Sequence, residues 1–194
     1  VAIIRVGGVP KSIDLDSVFV ATTEVFCERG FGGTTTKEIA ERAKVNEATL
    51  FRRFGTKVAL IEAAITEVLS NAPFGQVPAS DDIEADLIGV VRSFMKTHEE
   101  FGGLVMTLIA QVTHYPELRG AGAALVPNMQ AVGRIIASHQ EKGRIREGSA
   151  DKFALDLIAP LAIANFMKVS ELAPWHGDID VEEHVKTFLS GHAV

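Results

Sequence analysis

Residues 36 to 57, TKEIAERAKVNEATLFRRFGTK, gather hydroxyl, amide, carboxylate, guanidinium and ammonium groups into one short stretch. These groups hydrogen-bond phosphate oxygens and the edges of base pairs. The spacing places them on helices. Thr36 is read as the cap of a helix that begins at Lys37, with Glu38 in its first turn, where a carboxylate suits the helix dipole. Ile39, Ala40 and Ala43 give that helix one apolar side, and Lys44 and Val45 form a turn. Asn46 caps a second helix, Glu47 to Arg53, of about two turns. Leu50 and Phe54 point inward at spacing four, leaving Asn46, Glu47, Thr49 and Arg53 on or near the outer side. A helix so short needs neighbours to hold it, and its polar face matches what a major groove requires.

The elements that must hold this pair are also helical. A helix from about Asp14 to Arg29 turns Val18, Ala21, Val25 and Phe26 inward, and Gly30 is its expected stop. Thr56 caps a fourth helix running through Leu60 and Ala64 to about Leu69, with Lys57 in its first turn. Pro73, Gly75 and Pro78 mark a boundary. Helical patterns then cover 81–99, 102–113, 117–141, 150–172 and 180–191, with a kink or split expected at Pro127. No strand alternation appears. The expected fold is all-α, with about nine helices. It divides into an arm at 1–12, a helix-turn-helix head at 13–60 and a helical body at 61–194.

The segment from Asp14 to about Leu60 resembles the DNA-binding domain of the tetracycline-repressor (TetR) family of bacterial transcription regulators. The resemblance rests on Phe26, Gly30, Thr34 to Thr36, Ile39, Ala40, Ala43, Val45, Thr49 to Phe51, Phe54, Lys57 and Leu60. Two positions depart from the family pattern: Ala48 stands where Gly is usual, and Phe51 where Tyr is usual. Loss of the phenolic hydroxyl removes one phosphate hydrogen bond, while the ring still packs on a sugar or a thymine methyl. The resemblance implies backbone positioning by Lys37, Asn46, Thr49, Arg53 and Lys57, with Thr36 in the same set. Glu47, Ala48, Phe51 and Arg52 are then the residues for base-edge or sugar contact. A carboxylate such as that of Glu47 repels phosphate but accepts a hydrogen bond from cytosine.

Charge divides along the same boundary. The whole chain carries a net −6, but residues 1 to 60 sum to +2 and residues 61 to 194 to −8. That is a weakly basic head on an acidic body, and a head of +2 gains from being paired. Cys27 is the sole cysteine, so no intrachain disulfide forms, and its apolar surroundings suggest a buried structural thiol. No run of 18 apolar residues exists, and the opening VAIIRVGGVPKS is too Gly-broken for a secretory signal. A cytoplasmic location is expected. Arg5 and Lys11 in the arm are read as solvated, with DNA contact the alternative.

The body carries two apolar clusters, one from Phe94 to Val112 and one from Leu125 to Ile136. The resemblance implies that they enclose a small, largely apolar inducer. Phe94, Leu104, Thr107, Leu108, Gln111, Asn128 and Met129 are the expected ligand contacts, with His114 a further polar group and Gly102 and Gly103 leaving room. Helix 150–172 is apolar on more than one face, and Ala159, Ala162 and Ala164 permit close approach of a partner. The resemblance makes the last two long helices a homodimer interface that presents two heads to a near-palindromic double-stranded operator.

Enzyme chemistry finds no footing. His98 precedes Glu99 and Glu100, but there is no HExxH, no Glu-x-x-His pair, no GxSxG elbow, no phosphate loop and no GxGxxG. No cofactor, metal or catalytic residue is expected. The competing reading is a helical small-molecule carrier or enzyme with a vestigial DNA-binding head.

Overall fold

Helix starts in this chain are written by small polar residues. In the computed structural model, which describes residues 13–172 and 178–194, the side chains of Asp14, Thr35, Asn46, Thr56, Asp82, Ser149 and Asp180 each accept a first-turn backbone N–H. Among the described residues the elements are α1 (Leu15–Gly33), α2 (Thr36–Arg42), α3 (Glu47–Phe54), α4 (Lys57–Asn71), α5 (Ile83–Val112), a 3-10 turn (Pro116–Leu118), α6 (Arg119–Ala123), α7 (Val126–Glu141), α8 (Ala150–Val169) and α9 (Val181–His192). The fold is all-α, as expected. The N-terminal arm with Arg5 and Lys11 lies outside the described residues, as does Pro174, the expected break between the helical patterns 150–172 and 180–191.

Three local expectations change, and the choice left open at Pro127 is decided. The cap of α2 is Thr35, not Thr36: its hydroxyl accepts from Glu38 N–H at 3.1 Å. The two helices expected at 81–99 and 102–113 are one 30-residue helix, α5. Each interior glycine costs a helix about 1 kcal/mol, and at Gly102 close packing offsets it, because a Cβ there would lie 2.1 Å from His98 Nδ1. Pro127 sits in the first turn of α7, where its missing N–H had no helical partner to lose, so the chain splits ahead of it rather than kinking at it. Cys27 is exposed. Desolvation, with Glu28 adding to it, still raises its pKa, so the thiol form is favoured.

Three cores stack along the molecule. The first joins Val18, Ala21, Val25, Ile39, Ala40, Ala43, Leu50 and Leu60, and so holds α1, α2, α3 and the start of α4 together. The second joins Phe26 and Phe31 to Ile61, Ile65, Leu69, Leu104, Leu108 and Leu118. The third packs α5, α7, α8 and α9 around Leu87, Val91, Ile136, Leu157 and Val185. The expected boundary at residue 60 falls inside α4, where Leu60 and Ile61 enter different cores. Beside the third core, buried Asp86 accepts from Ser80 N–H (2.8 Å), from the Ser80 hydroxyl (2.6 Å) and from His139 Nε2–H (2.9 Å). This network ties α5 to α7. Among the described residues no helix is long and apolar enough to cross a membrane.

Candidate nucleic-acid interface and the adjoining cavity

The helix-turn-helix is set by a few side chains that leave the others free. Lys44 takes a positive φ of 54° in the turn, and Asn46 Oδ1 accepts from Ala48 N–H at 2.8 Å to start α3. The Thr36 hydroxyl donates to Glu47 Oε1 at 2.6 Å, joining the starts of α2 and α3 and fixing the angle between them. Arg42 clamps α2 on α1, donating to both oxygens of Glu28 (2.7 and 2.6 Å) and to Glu38 (2.7 Å). Hydrogen bonding to Arg42 lowers the pKa of Glu28.

At 3.6 residues per turn, Ala48 and Arg52 lie opposite buried Leu50, with Phe51 and Thr49 on either side. Phe51 is 49% exposed, a large aromatic surface for an isolated head. Lys37, Thr49 and Arg52 have no side-chain hydrogen-bond or ion-pair partner among the described residues. Arg53 is exposed beside the Phe54 ring, 5.9 Å from its centroid. The structure therefore divides the sequence-expected set. Lys37, Ala48, Thr49, Phe51, Arg52 and Arg53 offer free surface. Thr36, Asn46 and Glu47 hold the motif in shape, although Glu47 keeps its second carboxylate oxygen.

Lys57 is committed elsewhere. Its ammonium donates to Phe31 O at 2.7 Å and lies 4.2 Å from the centroid of the Phe31 ring. Burial lowers its pKa, against an opposing pull from Glu117. The free first-turn amides of α4 remain available to a phosphate, but the ammonium is in use as a brace. Phe31 is the hub of that brace. Its N–H donates to Gln111 Oε1 at 2.8 Å, and its ring packs on Tyr115 at 4.9 Å between centroids. Gly30 makes the approach possible: its φ is 62°, and a Cβ there would fall 2.3 Å from Gln111 Nε2. The head is thus bonded to α5 at the α1–α2 corner.

The same helix walls a cavity of about 180 Å³ on another face. Phe94, His98, Val105 and Ile109 of α5 line it, with Asn128 and Met129 of α7, Ile158 of α8 and Leu69 from the end of α4. Of the expected ligand contacts, Phe94, Asn128 and Met129 are on this lining. Leu104, Thr107, Leu108 and Gln111 are not. Because α5 is continuous, positions 94, 98, 105 and 109 share one face, whereas Leu104, Leu108 and Gln111 share the face turned to α1 and α4. Thr107 lies beyond Gln111, nearly opposite the cavity face. His114 is exposed and bonded to the neighbouring Thr113 hydroxyl at 2.9 Å. The sequence reading missed His98. A histidine four residues before a glycine, on an otherwise apolar helix face, is the signal that was there to use.

On α8, Leu155 and Ile163 are each 55% exposed, and Phe166 and Val169 extend the same apolar surface. The outward residues of α9 are polar or small, since its Val185 and Phe188 are spent on the third core. Among the described residues no cluster of three or more His, Cys, Asp or Glu converges to hold a metal ion.

Comparison with known proteins places this geometry. Residues 18–64 match the family model described as bacterial regulatory proteins, tetR family. The chain is 29% identical over 144 residues to the uncharacterized HTH-type transcriptional regulator YvkB of Bacillus subtilis, spanning 69% of this chain and 71% of that protein. It is 36% identical over 80 residues to the tetracycline repressor protein class A from transposon 1721 of Escherichia coli, spanning 41% of this chain and 37% of that one. Among solved structures, the fatty acid degradation regulator FadR of Bacillus halodurans superposes with a TM-score of 0.69 at 18% identity, covering 95% of each chain. That likeness is one of fold. These relatives are named as regulators, not enzymes.

Proposed function

Because this chain belongs to the tetR family of bacterial regulatory proteins and is a DNA-binding transcriptional regulator, we propose that it is a ligand-responsive repressor acting as a homodimer. One observation carries the reading. α4 has its first turn in the head beside α3 and its last buried leucine, Leu69, in the cavity wall. A molecule that fills the cavity presses on the far end of the helix that positions the head. Gln111 supplies a second link, since α5 lines the cavity on one face and bonds to Phe31 on the other.

The apolar surface of α8 supplies the two-fold contact, with α9 flanking it. A dimer of this kind presents its two recognition helices about 34 Å apart, one turn of DNA, to a near-palindromic operator. Pairing also doubles the charge of a head that sums to only +2 through residue 60. Lys37, Arg53 and the first-turn amides of α4 hold phosphates, while Arg52, Thr49, Ala48 and Phe51 face the bases and sugars. Ligand then releases DNA by binding more tightly to a dimer whose heads are wrongly spaced. Its effect is bounded by that difference in affinity.

Selection of bound duplexes from fragmented genomic DNA tests this directly. The expected result is one enriched near-palindrome. Against it, Lys37→Ala weakens binding uniformly and makes the salt slope shallower by about 1, whereas Arg52→Ala costs about 1–3 kcal/mol and relaxes preference at one position per half-site. No enrichment at low salt, with the dimer intact, replaces this reading by that of a helical carrier.

A further inference from the structure

His98 is the one polar side chain whose chemistry the described cavity leaves unfinished. Its Nε2 is buried and has no hydrogen-bond partner, the sole side-chain atom in that state among the described residues. Orphaned buried donors are rare in folded proteins, because each costs about 1–3 kcal/mol when left unpaired. The ring is also held from three sides. An amide N–H of Asn165 on α8 donates to His98 Nδ1 at 2.6 Å, Phe94 packs edge-on at 5.6 Å between centroids, and the absent side chain of Gly102 leaves the imidazole its space. With Nδ1 accepting, the ring proton sits on Nε2. A donor is therefore built, fixed in tautomer and left without a partner on a side chain that lines the site together with Phe94, Val105, Ile109, Met129 and Ile158.

We propose that His98 is the polar anchor of the cavity, and that its ligand is a compact neutral molecule with an apolar body and one hydrogen-bond-accepting oxygen. This deepens the ligand-responsive reading above and rests on it. The volume sets the body. An apolar cavity of about 150 Å³ takes benzene, so about 180 Å³ accommodates a single ring with a short substituent or an aliphatic molecule of similar bulk. The lining sets the charge. It contains no Lys or Arg, so a carboxylate would be taken from water without a cation to meet it, at a cost a neutral carbonyl avoids. Because Asn165 lies on α8, an oxygen received by His98 also engages the helix that carries the exposed apolar surface.

Calorimetric titration of the full chain with acetophenone, ethylbenzene and benzoate separates these terms. The three share a ring and differ in the oxygen and the charge. Wild type is expected to bind acetophenone about tenfold more tightly than ethylbenzene, the 1.4 kcal/mol of one hydrogen bond to an otherwise orphaned donor. Benzoate is expected to bind more weakly than acetophenone. His98→Leu equalises acetophenone and ethylbenzene while still taking up both, and His98→Gln, which returns an N–H near the position of Nε2, restores most of the preference. Equal affinities in wild type, a preference that survives His98→Leu, or tighter binding of benzoate would each overturn the assignment, and no uptake of any probe would overturn the size class. Circular dichroism melts confirm that both variants fold. The titration contains no DNA, so its failure is distinct from a failure of the duplex selection.

Discussion

Gln111→Met removes the acceptor that ties the head to the body and keeps the length of the side chain. The Phe31 N–H then loses its 2.8 Å bond to the side chain. The site is part-buried, so water reaches it incompletely. The expected cost is about 1 kcal/mol, the low end for an unpaired backbone donor. Two assays read this. In urea, with m near 1–3 kcal/mol/M, the unfolding midpoint drops by roughly 0.3–1 M. In hydrogen exchange, protection of the Phe31 amide falls about fivefold, since 1.4 kcal/mol is a factor of ten. The exchange result is the sharper one, because a change spread evenly over α1 would report general loosening. The bond is coupled to Lys57, whose ammonium donates to the carbonyl of the same residue at 2.7 Å. Gln111→Met and Lys57→Met together should therefore depart from additivity by at least about 0.5 kcal/mol. Unchanged Phe31 protection, or strict additivity of the pair, would refute the account of this corner as a latch.

Two further outcomes test separate parts of the molecule. Ile163→Asp places a charge on the exposed surface of α8, where Ile163 is 55% exposed, so it should leave the single chain folded within about 0.5 kcal/mol. Sedimentation should then show monomer in place of dimer, with operator binding lost; a variant that remains dimeric removes α8 from the interface. Asp86→Asn should cost about 2 kcal/mol at neutral pH by weakening the bonds to Ser80 and His139. Burial raises the Asp86 pKa, but the Ser80 hydroxyl and amide and then His139 outweigh it and leave it lowered. A carboxyl depressed in the folded state stabilises above its unfolded pKa of about 3.9 and loses that contribution as pH falls through the folded value. Wild type should therefore lose stability below about pH 4 more steeply than the variant, and parallel acid profiles would remove the network as the cause.

What was legible in the sequence depended on how far each residue's partner lies along the chain. The caps at Asn46 and Thr56 act on amides two and three residues away, so residue type and spacing sufficed. The head was readable for the same reason, together with its match to a known pattern. Gln111 and Lys57 were misplaced because their partner is the backbone of Phe31, 80 and 26 residues distant. Backbone groups leave no mark on composition. The pocket expectation failed at Leu104 and Leu108 through a helix boundary. Reading a break between residues 99 and 102 lost the phase of α5 and with it the division of its faces. Cys27 was expected inside because Phe26 beside it is apolar, yet adjacent residues on a helix point about 100° apart, and only Phe26 reached the core.

The sharing of α4 between cores bears on how such proteins can be recombined. A chimera that joins this head to another body at residue 60 would cut between Leu60, which closes the first core, and Ile61, which opens the second. The transplanted piece would lose the helix that seats it, and Phe31 would face a foreign α5 with neither Gln111 nor Tyr115 to receive it. A workable seam lies after Asn71, carries α4 whole, and grafts Gln111 and Tyr115 into the recipient. The unit of exchange in this fold is the head together with its socket.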